Sequence, residues 1–214
     1  MNEELFMEID KSGNKIWRDK KGYPHRSDGP AMEYADGGKE WYKNGCLHRL
    51  DGPAIEWDNG YKEWWQNGCL HREDGPAIIE ANEGNKYWYQ KGILHRLDGP
   101  AKEFSDGIKQ WWENGKLHRI DGPAIEDPAG ITEWYQNGVL HRLDGPAREW
   151  SNGGKAWYRY GKCHRLDGPA IEFPNCDKAW YKNGRKFKNK DAFFSSLNKK
   201  QKEAALFSED FLNG

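Results

Sequence analysis

Short runs in which apolar and polar residues alternate recur in pairs along most of the chain, each pair followed by a polar stretch rich in Arg, Asp, Gly and Pro. Between Pro53 and Gly68 the two runs are Ala54 to Trp57 and Tyr61 to Gln66, parted by Asp58-Asn59-Gly60 and closed by Asn67-Gly68. Alternation with period two marks a half-buried strand, and Asn-Gly supplies the positive φ values of a tight hairpin turn. The pattern predicts one hairpin per unit, with Asn67-Gly68 as its exit turn and Cys69 to Pro76 as a connector to the next. Within the connector, Asp74-Gly75-Pro76 predicts a chain reversal, proline fixing φ and glycine tolerating a strained approach.

Aligned on itself, the chain shows the phrase His-Arg-x-Asp-Gly-Pro-Ala seven times, beginning at His25, His48, His71, His95, His118, His141 and His164. The period is 23 residues except for a single 24, an insertion within Ile78 to Gly84 that a turn can absorb. The second run carries an aromatic pair in every copy, from Trp41-Tyr42 to Trp180-Tyr181. Neighbours in a strand face opposite ways, so the pairs predict two aromatic columns, one under the connectors and one on the reverse face, part-exposed or beneath Lys and Glu stems. Gly13 to Trp17 reads as an opening half-repeat. At the other end, Asp191 to Leu197 and Lys199 to Phe207 have helical spacing, through Phe193, Phe194 and Leu197 and then Ala204, Leu206 and Phe207. Asn198 and Gln201 are placed as a capping box between them.

The expected architecture is thus all-β: an elongated single-layer antiparallel hairpin solenoid over residues 1–187, of about sixteen strands at ordinary strand spacing, closed by a helical cap over residues 188–214. The cap protects one edge, whereas nothing obvious covers an N-terminal edge strand at Glu4 to Ile9, through which self-association is conceivable.

Composition sharpens this picture. Only 36% of residues are hydrophobic, yet 12 Trp, 10 Tyr and 8 Phe are present, so order must come from aromatic rings rather than an aliphatic core. Thirty-three Lys and Arg against 34 Asp and Glu leave a charge of −1, which provides no field for collecting nucleic acid. With no apolar leader and no long apolar run, the sequence predicts no membrane span and a cytoplasmic chain. Cys46, Cys69, Cys163 and Cys176 lack paired spacing and read as free thiols, Cys46 and Cys69 as small fillers after the Asn-Gly turn.

Seven His residues, each followed three residues on by Asp, invite a metal or acid-base reading. Equivalent residues two strands apart lie ~9.5 Å from one another, too far to share a zinc ion whose nitrogen ligands sit ~2 Å away. No metal site, no cofactor and no catalytic residue is expected, because catalysis needs one asymmetric constellation and seven equal copies follow a stacking rule. The Arg and Asp of each connector, such as Arg49 with Asp51, are expected to pair with each other or with the connector backbone. Ring stacking of bases would need a basic groove, and the strand positions Lys39, Glu40, Lys62, Glu63, Lys109 and Gln110 carry no net charge.

The phrase Trp-Tyr-x-Asn-Gly-x-x-His-Arg-x-Asp-Gly-Pro-Ala, for example Trp134 to Ala147, resembles the MORN repeat and its variants over about residues 13 to 187. It is similar to repeats in proteins of tailed phages and large DNA viruses, although the standard return segment is Gly-x-Gly. The resemblance implies a twisted single-layer sheet used as an interaction surface without catalytic residues. It also implies an inhibitor of a host factor, acting in the host cytoplasm.

Copies that depart from consensus are where specificity is expected. The first-strand aromatic (Tyr34, Trp57, Phe104, Trp150, Phe173) becomes Asp127, and the Ile position becomes Lys102 and Arg148. These three, with Trp111, Trp112, Trp134 and Tyr135, form the expected protein-binding patch. The alternative is a sponge for a phosphate-bearing ligand or nucleotide held at the connectors by His95, Arg96, His118, Arg119, His141 and Arg142.

Overall fold

The protein is described by a computed structural model covering residues 4–206. It divides into two compact units, Met1–Ser105 and Asp106–Gly214. Both are antiparallel hairpin ladders, and two short helices end the second, so the expected all-β repeat architecture is present.

The first unit's ladder runs through Phe6–Ile9, Lys15–Arg18, Met32–Glu33, Lys39–Glu40, Ile55–Glu56, Lys62–Glu63, Ile78–Glu80, Asn85–Tyr87 and Lys102–Glu103, each paired with the next. The second unit continues the pattern with Lys109–Gln110, Ile125–Asp127, Ile131–Glu133, Arg148–Glu149, Lys155–Ala156, Ile171–Glu172, Lys178–Lys182 and Arg185–Phe187. The register gives each face its own pattern. In the first unit one face reads Ile16, Met32, Glu40, Ile55, Glu63, Ile78, Tyr87 and Lys102. The reverse face reads Lys15, Glu33, Lys39, Glu56 and Lys62, opposite charges facing each other across the strands, which favours this register over a slip by one.

One expectation is corrected. The run Tyr61 to Gln66 is not one strand: Lys62–Glu63 belongs to the main ladder, and Trp65–Gln66 forms a second, smaller hairpin with Cys69–Leu70 around Asn67-Gly68. The exit turn is therefore itself a hairpin turn, and the connector starts two residues later than expected. Instead of about sixteen strands, the described residues hold 29, most of them two residues long. The switch happens at the tryptophan. Trp64 donates its backbone N–H to Ala77 in the main ladder and accepts the N–H of His71 at the end of its small hairpin. Asn67 and its equivalents, with φ of 50 to 52°, occupy the left-handed region that the small turn requires, a place that Lys91 and Tyr160 also fill.

The glycine of each connector serves a different purpose from the one its sequence suggests. It is not in the left-handed region; a Cβ on Gly122 would lie 2.6 Å from the guanidinium carbon of Arg119. The missing side chain is the space that the arginine occupies. The alanine two residues on (Ala31, Ala54, Ala77, Ala101, Ala124, Ala147 and Ala170) is fully buried in all seven copies.

At the C-terminus, helix α1 (Lys190–Ser195) is capped by Asn189, whose side chain accepts from the Ala192 N–H at 2.9 Å. Helix α2 (Lys199–Leu206) opens with the expected capping box, Gln201 N–H to Asn198 Oδ1 at 2.9 Å and Asn198 N–H to Gln201 Oε1 at 3.1 Å. The expected apolar face is corrected in part. Phe193 and Leu197 are buried with Trp180 and Ala205, whereas Ala204 and Leu206 are exposed and Phe207 lies outside the described residues, as do Met1 to Glu3 and the rest of the expected cap. The N-terminal strand Phe6–Ile9 pairs with Lys15–Arg18 and is exposed throughout.

Replacing Gly122 by Ala is expected to push Arg119 off its seat and cost about 1–3 kcal/mol, as overpacking does. Urea denaturation followed by tryptophan fluorescence reads this, and a midpoint equal to that of the wild type would refute it.

Candidate functional site

Each connector is built around a clamped arginine, held from five sides in all copies but one. Its guanidinium carbon lies 3.9 to 4.2 Å above the centre of the preceding tryptophan ring, in the pairs Trp17 with Arg26, Trp41 with Arg49, Trp64 with Arg72, Trp88 with Arg96, Trp111 with Arg119, Trp134 with Arg142 and Trp157 with Arg165. The connector glycine closes the opposite side. In the plane, Nε donates to the connector aspartate and Nη1 to the proline carbonyl, for Arg49 at 2.9 and 3.1 Å. Nη1 also reaches a ladder glutamate, Glu56 at 3.0 Å from Arg49 and Glu126 at 2.7 Å from Arg119. Only the copy with the insertion lacks this last partner among the described residues, because Ile79 stands at the glutamate position. The arginine holds the carboxyls of Asp28, Asp51, Asp74, Asp98 and Asp144 below the usual carboxylate range, chiefly through the Nε hydrogen bond. The expected pairing of connector Arg and Asp is present in all seven copies.

The histidine joins each connector to the next small hairpin. His48 Nδ1 accepts the N–H of Asn67 at 3.1 Å, and His118 and His141 accept from Asn137 and Tyr160 at 3.1 and 3.0 Å. Accepting at Nδ1 requires an unprotonated nitrogen there. Burial, and then the nearby Arg159 charge, lower the pKa of His141 and His164, with Lys182 adding to the effect on His164.

The residues expected to form a protein-binding patch are largely occupied in the frame. Trp111 and Trp134 lie under Arg119 and Arg142. Trp112 Nε1 donates to Gln110 at 3.1 Å, and the Tyr135 hydroxyl donates to Glu133 at 2.9 Å. Arg148 is drawn to the same carboxylate, Nη2 to Glu133 Oε1 at 2.7 Å, while its buried Nε finds no partner among the described residues. Asp127 accepts the Ala129 N–H at 2.8 Å and so steadies its own turn. Lys102 belongs to the first unit, half-buried beside the Tyr87 ring, and Asp127 and Arg148 belong to the second. On this face tyrosine hydroxyls meet glutamates repeatedly, as Tyr61 meets Glu63, and burial with these carboxylates pushes the Tyr34 and Tyr87 hydroxyls up to about 12. The four cysteines are free, and no group of His, Cys, Asp and Glu able to hold a metal ion occurs among the described residues. No described helix is long and apolar enough to cross a membrane.

Sequence reasoning missed the variable residue of His-Arg-x-Asp. Leu50, Leu97, Ile120 and Leu143 there are 74, 78, 74 and 67% exposed, standing clear of a connector whose every other side chain is engaged. The signal was available: an aliphatic residue inside an otherwise polar phrase, in four of seven copies with a fifth at Leu166. In the second unit a groove of about 520 Å³ opens between successive connectors, bordered by Leu143, Asp144, Trp157, Arg159, His164 and Leu166. Comparison with family models and with characterised proteins finds no match to the chain.

Because His141 and His164 have lowered pKa values, the unfolded chain binds protons first as pH falls. Their contribution to stability is full above the ordinary value of 6.5 and is lost as pH drops from there through the folded-state values. The thermal midpoint is expected to fall between about pH 7.5 and about pH 5.5, and less so when both residues are replaced by Gln. A wild-type midpoint that does not move over this range would contradict the assignment.

Proposed function

We propose that the protein is a non-enzymatic binding protein that engages a protein partner through the connector edge of its repeats. The observation that carries this reading is the set of exposed aliphatic residues Leu50, Leu97, Ile120 and Leu143, held out by a frame that uses up the chemistry of the phrase around them. Aliphatic side chains on a pre-ordered backbone lose little freedom on binding and gain by leaving water, which favours a macromolecular partner over a small polar ligand. The repeat's likeness to phage and viral repeats points to a host protein as that partner.

The ligand-sponge alternative draws less support. It needs the arginines of Arg96, Arg119 and Arg142 free to meet phosphate, and each is committed to a ring, a carboxylate and a carbonyl.

Changing Leu97, Ile120 and Leu143 together to Ser is expected to leave stability within about 0.5 kcal/mol per site, as exposed substitutions do, and to weaken partner capture tenfold or more. Affinity capture from lysate with wild type and variant, read by mass spectrometry of proteins and small molecules, decides. A nucleotide recovered at several per chain, indifferent to the variant, would replace this reading with the sponge.

A further inference from the structure

The helical cap shows what the connector edge accepts. It covers three residues of the last repeat, Leu166, Trp180 and Lys182. Phe193 packs 5.0 Å from the Trp180 ring, and Leu166 packs against the same cluster. Lys182 Nζ donates to the carbonyl of Ser196, the C-cap of α1, at 2.9 Å and to Gln201 Oε1 at 3.2 Å. An aliphatic connector residue and a cation two positions after the tryptophan thus receive an apolar helix face and a helix C-terminus, where carbonyls and the helix dipole favour positive charge.

The same pair recurs one repeat earlier with nothing over it among the described residues. Leu143 and Arg159 stand at the positions of Leu166 and Lys182, on the border of the 520 Å³ groove. Leu143 is 67% exposed, and Arg159 is exposed with no side-chain partner among the described residues. Elsewhere at least one half of the pair is missing: Ser27 precedes Lys43, and Gln66, Gln90, Glu113 and Gln136 occupy the cation position.

We infer that the groove at Leu143 and Arg159 docks a short amphipathic helix of the protein partner, its C-terminal carbonyls on Arg159 and an apolar side chain on Leu143, as the chain's own cap docks one repeat later. This rests on the protein-partner reading above. Trp157 is already covered by Arg165, so the incoming helix supplies no counterpart of Phe193. Asp144 and Asp167 on the rim are bonded to Arg142 and Arg165, which leaves Arg159 as the charge the groove offers to the helix.

The test uses the full chain and a labelled, helix-stapled peptide with the sequence of residues 189–206, titrated by fluorescence anisotropy. One saturable site per chain is expected, weakened tenfold or more by Arg159→Gln and by Leu143→Ser and unchanged by Leu97→Ser. Other repeats already carry Gln and Ser at these places, so the frame is preserved. Absence of saturable binding, or binding indifferent to both substitutions, overturns the inference. So does a dimer in sedimentation that Arg159→Gln dissolves, since the occupant is then a second copy. If peptide binding fails while partner capture still depends on Leu97 and Ile120, this inference falls and the general reading stands; if both fail, both fall.

Discussion

Every repeat is organised around a guanidinium held between a tryptophan ring and a glycine that has no side chain to obstruct it. Strands of two residues have too few hydrogen bonds and too little apolar surface to persist alone, so the ladder depends on something that spans several of them. The arginine does this from one position. Arg49 reaches back to Trp41, where the chain leaves the main ladder, across to Asp51 and Pro53 in its own connector, and forward to Glu56 in the next ladder strand. A cation on a ring contributes roughly 1–2 kcal/mol when partly desolvated, and the hydrogen bonds in the plane fix its orientation. His48, bonded to the following hairpin at Asn67, carries the coupling to the next unit. The result is nearest-neighbour stabilisation, the general solution for chains that form no central core.

The same logic explains the end of the array. Trp180 is followed by no connector arginine, since Lys188 stands at that position, and an uncovered ring there would leave the last strand without its clamp. Phe193 of α1 packs against its ring instead, with Phe187 edge-on to Phe193 at 5.5 Å, and Trp180 becomes the best buried tryptophan of the chain at 5% exposure. The helices thus replace an electrostatic clamp by an apolar one, which is why the phrase can end abruptly after Pro169 and Ala170 without a following unit.

Much of this was legible in the sequence, and what was not has physical causes. Hairpins, repeat period, the absorbed insertion, the connector ion pair and the capping box all follow from local chemistry that a residue pattern records. The break at each tryptophan does not, because side chains go on alternating when a strand leaves one ladder for another, and only the partners of the Trp64 N–H and C=O reveal the change. The connector glycine misleads for a similar reason: a glycine required by φ and one required by a neighbour's volume look the same in a sequence. The charged substitutions Lys102, Asp127 and Arg148 stand out against the consensus, yet Arg148 meets Glu133 and Asp127 meets a turn amide, so a departure from pattern was compensated rather than displayed.

A frame that fixes His, Arg, Asp, Gly, Pro, Ala and Trp in every copy confines variation to positions it does not use. Two of these flank the connectors, the residue after the arginine and the residue two after the tryptophan. Between them they hold Ser, Leu, Glu and Ile at the first and Lys, Gln, Glu and Arg at the second, in combinations that differ from repeat to repeat. Because neither position contributes to the clamp, their side chains change the surface at little cost to the fold. On the proposed reading, stability and recognition would be written by different residues of the same 23-residue phrase, and a partner would be selected by which combination a given repeat presents, as the cap meets Leu166 and Lys182 in the last one.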